Sequence, residues 1–206
     1  MTLGESDRVP IFRSMTYPLI LALGDSLTAG YGLPAHQSFA AQLQALLRDR
    51  HPHATVHNGG VSGDTSAGGL ARLPRLLSRL PGRPDLAIVE LGANDLLRGI
   101  APERMQANLD AILTELGRCG VPVLLAGMLA PPILGGYARR YNAVFPAVAQ
   151  AHGAALYPFF LNGVVGDPTL TLADGIHPNA RAVGIVARRI LPYVEAALAA
   201  AVRDAA

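Results

Sequence analysis

Three side chains of the kind that catalyse acyl transfer occur in two distant parts of this sequence. Ser26 follows the apolar run 19–23 at a Gly-Asp-Ser turn, whereas Asp174 and His177 stand together near the C-terminal end. A serine hydroxyl is a weak nucleophile at neutral pH and needs a neutral imidazole to accept its proton. The spacing of Asp174 and His177 allows the carboxylate to accept the Nδ1 hydrogen and to turn Nε2 towards the serine. We therefore predict a Ser-His-Asp catalytic triad.

Acyl transfer also needs donors for the negative charge of the tetrahedral intermediate, and removing one such donor typically costs about 2.7 to 4 kcal/mol of transition-state stabilisation. Three candidate donors are the backbone N–H of Ser26, the backbone N–H of Gly63 and the side-chain amide of Asn94. Taken singly, Gly63 is better interpreted as a turn glycine and Asn94 as a helix cap, and the alternative for Asp174 is a helix N-terminal or turn residue before the last helix. Their occurrence in one chain favours an oxyanion hole and a triad.

Alternation of short apolar runs with longer helical patterns predicts the elements that must position these groups. The predicted strands are Pro18–Leu23, Ala54–Asn58, Leu86–Leu91, Val121–Ala126 and Ala154–Tyr157, and the predicted helices are Phe39–Arg50, Gly68–Arg79, Ala101–Arg118, Tyr137–His152 and Asn179 to about Arg203. This pattern is typical of an α/β fold: a single-domain, flavodoxin-like three-layer α/β/α sandwich with a five-stranded parallel sheet in the order 2-1-3-4-5. The nearly continuous apolar strands indicate burial on both faces. Because the polar clusters follow strands, they are expected at one edge of the sheet.

Length and composition fit one compact domain and exclude several classes of function. The chain has 206 residues, is 50% hydrophobic and carries a formal charge of +2. It contains no lysine, which excludes Schiff-base chemistry, and its scattered arginines and few aromatic residues argue against a nucleic-acid partner. Residues 1–15 are predicted to be an N-terminal extension, with Met15 as an alternative start, and residues 16–206 to be the catalytic domain. No apolar stretch reaches the ~18 residues of a membrane span, and no signal peptide is visible, so we expect a cytoplasmic protein without stable membrane insertion.

The segments that carry these candidates resemble the SGNH, or GDSL, hydrolases. The matching blocks occur in family order, from the first strand to the last helix: Gly24-Asp25-Ser26-Leu27, Ser62-Gly63-Asp64-Thr65, Gly92-Ala93-Asn94-Asp95 and Asp174-Gly175-Ile176-His177-Pro178. The resemblance implies that Ser26 is the nucleophile, His177 the base and Asp174 its partner. It also implies an oxyanion hole formed by Ser26, Gly63 and Asn94.

Within this family the chain is most similar to the bacterial multifunctional group of acyl-CoA thioesterases, proteases and lysophospholipases, which includes arylesterases. The supporting stretches are 62–66, 70–74, 89–92, 97–99 and 137–142. This chain departs from the group in two features. Members are often exported, whereas no export signal is visible in this sequence, and Leu96 is bulkier than the glycine often found at that position. The resemblance implies a serine esterase acting on short- to medium-chain acyl or aryl esters, with thioesters and lysophospholipids as further candidates.

Apolar segments after the strands are predicted to bind the acyl group of a small-molecule ester. These candidate substrate-binding residues are Leu96, Leu97, Ile133, Leu134, Val164 and Val165. They argue against the main alternative enzyme, a carbohydrate O-acetyl esterase, whose site should be more polar or aromatic. A non-catalytic flavodoxin-like binding module is the other alternative, but it predicts loss of at least one member of the constellation.

The sequence offers little for other chemistries, and we expect neither a cofactor nor a metal. His51, His53 and His57 are interpreted as residues of a solvated loop and a packed strand rather than as metal ligands, and neither HExxH nor paired cysteines occur. The G-x-S-x-G elbow and the glycine spacings of nucleotide-binding loops are also absent. The single cysteine, Cys119, is interpreted as a packing or turn residue.

Overall fold

A computed structural model describes residues 17–204, so the predicted extension 1–15 lies outside the described residues. Its centre is a parallel sheet in the order β2-β1-β3-β4-β5, as predicted. The strands are β1 (Leu19–Gly24), β2 (Thr55–Gly60), β3 (Leu86–Glu90), β4 (Val123–Ala126) and β5 (Ala155–Tyr157). The neighbour of β1 changes from β2 to β3 after the first crossover, and this is where open α/β sheets keep their sites.

Strands β1 and β3 are buried on both faces, but the edge strands β2 and β5 are not. Every residue of β1 and β3 is buried, in agreement with their continuous apolar sequences. In β2 only Val56 and Gly59 are buried, whereas Thr55 and Asn58 are exposed. The expectation of two-sided burial is therefore wrong for the two edge strands, β2 and β5, each of which pairs with a single neighbour and is less enclosed than the strands inside the sheet.

The five long predicted helices all form, and two short ones accompany them. The helices are α1 (Ser26–Ala29), α2 (Phe39–Leu47), α3 (Ser66–Leu77), α4 (Ala93–Leu97), α5 (Pro102–Arg118), α6 (Gly135–His152) and α7 (Ala180–Asp204). Helix α2 packs beside α7, and α5 packs between α3 and α6. Right-handed crossovers in this strand order put these two groups on opposite faces of the sheet, which gives the three-layer sandwich.

Small differences in element bounds have local causes. The strand predicted from Val121 begins at Val123, because Pro122 has no N–H to donate to a neighbouring strand and Val121 N–H donates to Leu116 in the preceding turn. Pro122 still takes part through its carbonyl, which accepts from Ala87 N–H. Among the residues that the structure describes, no helix combines the length and the hydropathy needed to cross a membrane.

Candidate active site

Ser26 is held at the carboxyl edge of the sheet by the junction of β1 and α1. The buried strand ends at Gly24, and the Asp25 side chain accepts from Leu27 N–H at 2.9 Å, which caps the short helix that begins with Ser26. The helix ends at Gly30, whose φ of +82° is a left-handed conformation suited to glycine. The sequence predicted the serine after the strand but not this one-turn helix.

The loop before α7 is organised by Asp174. Its Oδ1 accepts from the backbone N–H groups of Ile176 and His177, both at 3.0 Å. Gly175, which lies between Asp174 and Ile176, has a φ of +69°. The His177 carbonyl accepts from Leu172 N–H at 2.7 Å. Asp174 is thus both the turn residue of one interpretation and the imidazole partner of the other.

The structure brings the three predicted triad residues together. Asp174 Oδ2 lies 2.6 Å from His177 Nδ1, and His177 Nε2 lies 3.0 Å from Ser26 Oγ. The two backbone donors, ahead of the imidazole, lower the pKa of Asp174 to about 2. The carboxylate is therefore ionised and can only accept, so Nδ1 of a neutral His177 carries the proton. Nε2 is left as the acceptor for the Ser26 hydroxyl.

Tyr31 packs against the imidazole of this triad. Its ring centroid lies 4.3 Å from that of His177, with the planes tilted by 32°, and half of the tyrosine is exposed. Sequence reasoning missed this contact, although an aromatic residue in the glycine-rich loop after Ser26 was the available signal. Tyr31 shields one side of the base from solvent.

Gly63 lies in the turn between β2 and α3 and has a φ of +83°. A Cβ atom there would meet only Arg98 Nη2, at 3.6 Å, so the backbone conformation, rather than crowding, is what requires glycine. The Gly63 carbonyl accepts from Arg98 Nη2 at 2.7 Å, which ties this turn to the end of α4. Arg98 was not among the predicted site residues.

Asn94 lies in the first turn of α4, but it does not cap that helix. The N-cap residue is Gly92, and no side chain accepts a capping hydrogen bond there. Instead, Asn94 Nδ2 donates to Asp25 Oδ2 and to the Asp64 carbonyl, both at 2.9 Å. Its amide is thus held between the block that carries Ser26 and the block that carries Gly63.

A further arginine links the same two blocks. Arg72 on α3 donates through Nε to the Asp64 carboxylate and through Nη2 to the Gly24 carbonyl, the latter at 2.9 Å. Asp64 directly follows Gly63, and Gly24 precedes Ser26 by two residues. Sequence reasoning did not predict this link, because the two partners are far apart in the chain and meet only in the fold.

Two buried carboxyl groups lie beneath this edge of the sheet. Asp25 and Glu90 are both fully buried, and Glu90 Oε2 accepts from Thr28 Oγ1 at 2.8 Å and from Asp25 N–H at 3.4 Å. Burial raises the pKa of Asp25 to about 6. Burial and the neighbouring Asp25 charge raise the pKa of Glu90 well above its usual range. Burial therefore favours the neutral, protonated form of Glu90.

The predicted substrate-binding residues divide into two groups. Leu97, Ile133, Leu134 and Val165 are exposed, and the structure leaves them available to a ligand. The other two differ: Leu96 is half-buried against the core, and Val164 belongs to the core with 6% exposure. Further exposed apolar side chains occur in the segments that follow the strands, and the sequence analysis did not select them: Val61, Leu129 and Ile176.

Residues 17–204 contain no group of three or more His, Cys, Asp or Glu side chains that could hold a metal ion. His53 stacks on Tyr17 with ring centroids 4.5 Å apart, and His57 lies half-buried in β2. Cys119 is the C-cap residue of α5 and is half-buried, in keeping with its interpretation as a turn residue.

The α/β/α fold and the contacts between Ser26, His177 and Asp174 at the sheet edge define a hydrolase with a serine nucleophile. Comparisons with known proteins give its family. Residues 22–183 match the model of the GDSL-like lipase/acylhydrolase family. This chain belongs to that family, and its class is that of the carboxylic ester hydrolases.

Curated relatives align with most of this chain. It is 42% identical over 177 residues to the esterase TesA of Pseudomonas aeruginosa, which covers 85% of this chain and 87% of that protein. It is 40% identical over 167 residues to an arylesterase of Vibrio mimicus, covering 79% and 81%. It is also 40% identical over 181 residues to thioesterase 1/protease 1/lysophospholipase L1 of Escherichia coli, covering 85% and 83%. A crystal structure of TesA superposes with a TM-score of 0.79 at 43% identity, covering 84% of this chain and 96% of that one.

Proposed function

We propose that this protein hydrolyses short- to medium-chain acyl and aryl esters through an acyl-enzyme formed on Ser26. The observation that carries the proposal is the continuous contact from Asp174 Oδ2 to His177 and on to Ser26 Oγ, at 2.6 and 3.0 Å. These are hydrogen-bond distances for a base and the proton that it abstracts. The ionised Asp174 keeps the imidazole in the tautomer that the reaction needs.

In the acylation step, Ser26 Oγ attacks the ester carbonyl carbon while His177 Nε2 takes the hydroxyl proton. The carbonyl π electrons move to oxygen, and the resulting oxyanion accepts from Ser26 N–H, Gly63 N–H and the Asn94 amide. When the tetrahedral intermediate collapses, the bond to the leaving oxygen breaks, and the imidazolium returns the proton to the leaving alcohol. Ser26 is left as an ester of the acyl group.

Deacylation repeats this sequence with water. His177 Nε2 takes one proton from the attacking water, the oxyanion forms at the same donors, and collapse releases the carboxylic acid as the proton returns to Ser26 Oγ. In the free enzyme the Asn94 amide donates one hydrogen to the Asp64 carbonyl. Because the oxyanion is the stronger acceptor, it takes over that hydrogen when the tetrahedral intermediate forms.

Apolar contacts supply the proposed acyl selectivity. Leu97, Ile133, Leu134 and Val165 are exposed apolar side chains in segments that follow the strands. Burial of an acyl chain or an aryl ring against such side chains is favourable, with a free energy of about 25 cal/mol per Å² of apolar surface removed from water. The relatives' names, an arylesterase and a thioesterase/lysophospholipase, support the same substrate classes and make thioesters and lysophospholipids further candidates.

Replacement of the nucleophile tests the proposal. Ser26→Ala should fold normally, because Ser26 is only half-buried and the helix cap belongs to Asp25, yet it should lose turnover of p-nitrophenyl acyl esters. The assay compares kcat of the two proteins across acetyl, butyryl and octanoyl esters, with circular dichroism as the check on folding. Undiminished turnover by the folded variant would refute the role of Ser26.

A substrate panel tests the selectivity. Acyl and aryl esters, an acyl-CoA thioester, a lysophospholipid and an acetylated sugar should be ranked by kcat/KM. We expect the acyl and aryl esters to exceed the acetylated sugar. Preference for the sugar would instead support the carbohydrate O-acetyl esterase.

A further inference from the structure

Within residues 17–204, the Asp25 carboxylate makes no hydrogen bond to a predicted triad residue, but both of its oxygens are engaged at the proposed oxyanion hole. Oδ1 accepts from Leu27 N–H at the start of α1, and Oδ2 accepts from Asn94 Nδ2, each at 2.9 Å. Asp25 is completely buried, and its place is fixed because it is the residue before Ser26 and caps the helix that Ser26 begins. The carboxylate therefore joins the backbone of the nucleophile to the amide of Asn94.

We propose that Asp25 is a positioning residue of the oxyanion hole, whose buried carboxylate holds the Asn94 amide in the orientation that receives the oxyanion. The inference rests on the proposed function, since it gives Asn94 the role of oxyanion donor. Of the two hydrogens on Asn94 Nδ2, one is bound by Asp25 and the other by the Asp64 carbonyl. Only the second is given up to the oxyanion, so the Asp25 contact fixes the amide plane throughout the reaction.

The neighbouring acid explains how a carboxylate can act in this buried position. Glu90 Oε2 accepts from Asp25 N–H and from Thr28 Oγ1, whereas Glu90 Oε1 is buried without a hydrogen-bond partner in the part of the chain that the structure describes. A pair of close buried carboxyl groups carries one charge at lower cost than two. Asp25, with a donor on each oxygen, is the better place for that charge, and the raised pKa of Glu90 keeps the proton there. The charge of a protonated His177 would favour the ionised form of Asp25, whereas the charge of Asp64 opposes it.

Substitution of Asp25 by asparagine separates the two contacts with little change in shape. An asparagine has one acceptor oxygen and one amino group, so it cannot accept from both Leu27 N–H and Asn94 Nδ2. One of these donors must then face another donor. Since the Leu27 N–H belongs to the backbone and cannot turn away, we expect the Asn94 amide to rotate out of place.

The test is a double-mutant cycle of Asp25→Asn and Asn94→Ala, read as kcat and KM for a p-nitrophenyl acyl ester. Removing an oxyanion donor typically lowers kcat by about 10²- to 10³-fold. Asp25→Asn should lower kcat by a smaller factor, on the order of 10- to 100-fold, at nearly constant KM, because misaiming a donor weakens transition-state binding more than substrate binding. In the Asn94→Ala background, Asp25→Asn should have almost no further effect on kcat. A purely structural role would lower kcat by the same factor in both backgrounds, and that result would overturn the inference.

One further variant repeats the test at Asp25 with a different side chain, and another serves as a control. Asp25→Ser keeps a side chain suited to capping Leu27 N–H but too short to reach Asn94, and it should show the same dependence on Asn94. Asp95→Asn makes the same chemical change at another fully buried carboxylate, whose oxygens accept from Ser66 N–H and Oγ. Any effect of Asp95→Asn should be equal in the two backgrounds. If Asn94→Ala alone retained full kcat, the proposed oxyanion role of Asn94 would fail, which is a different result from independent effects of Asp25 and Asn94.

Discussion

At the scale of single residues, the chemistry depends on which nitrogen of His177 carries a proton, and Asp174 decides this. Its Oδ1 accepts from two backbone N–H groups while Oδ2 faces Nδ1. Asp174→Asn can keep the backbone contacts through its oxygen, but its amino group then faces Nδ1 and favours the opposite tautomer. We expect kcat to fall by about 10⁴-fold, the scale of such an exchange in serine triads, as measured with a p-nitrophenyl ester.

The matched control is Asp167→Asn in the same part of the chain. Asp167 also has a lowered pKa, because the side chain and the backbone N–H of Thr169 donate to it, but within the described residues it makes no hydrogen bond to His177 or Ser26. The control should keep kcat within about threefold. Equal losses in the two variants would show that the segment, rather than the tautomer, governs the rate.

At the scale of elements, the site depends on how closely α1 sits on β2. A Cβ atom on Gly60, the last residue of β2, would lie only 2.6 Å from the Ala29 Cα at the end of α1. Gly60→Ala must therefore push strand and helix apart, and we expect it to lower the free energy of unfolding by about 3 kcal/mol. Urea denaturation measures this change.

Gly117→Ala provides the contrast for that measurement. Gly117 is an exposed residue of α5, and a Cβ atom there would meet nothing within 4 Å. The same substitution should raise stability by about 0.5 kcal/mol, because alanine loses less backbone entropy in a helix. If Gly60→Ala were as well tolerated as Gly117→Ala, the close seating of α1 on β2 would be refuted.

The long elements could be predicted from sequence patterns, whereas the short helices and the contacts between distant segments could not. Apolar runs and helical periodicity predicted the five strands, the five long helices and the strand order, since burial of a long apolar segment leaves a strong pattern. Helices α1 and α4 were missed because four or five residues are too few to show a period. Likewise, sequence blocks predicted which residues meet at the sheet edge, but not the bond from Asn94 to Asp25 nor the packing of Tyr31 on His177. Those contacts join distant segments and arise only from the fold.

At the scale of the whole molecule, the buried carboxyl pair makes stability depend on pH. Glu90 is fully buried with a raised pKa, so its contribution to stability is complete below its ordinary pKa of 4.5 and is lost as the pH rises towards its folded value. As the pH rises above 4.5, the unfolded chain ionises Glu90 more readily than the folded chain, in which burial disfavours the charge. Glu90→Gln removes this difference between the two states.

The expected result is that Glu90→Gln raises Tm relative to the native protein by more at pH 8 than at pH 4.5. In a domain of this size, each kcal/mol shifts Tm by about 2 to 4 °C, so thermal melts followed by circular dichroism across this range resolve the trend. A Tm difference that did not change with pH would mean that Glu90 is ionised in the fold.

The central claim, an acyl-enzyme on Ser26, is tested most directly by intact-protein mass spectrometry with an aryl phosphonate, which forms a stable analogue of the tetrahedral intermediate. The account predicts one covalent adduct per chain in the native protein, assigned by fragmentation to Ser26, with complete loss of esterase activity. It predicts no adduct in Ser26→Ala under the same conditions. Labelling of the variant at another residue, or full activity in labelled protein, would contradict the account.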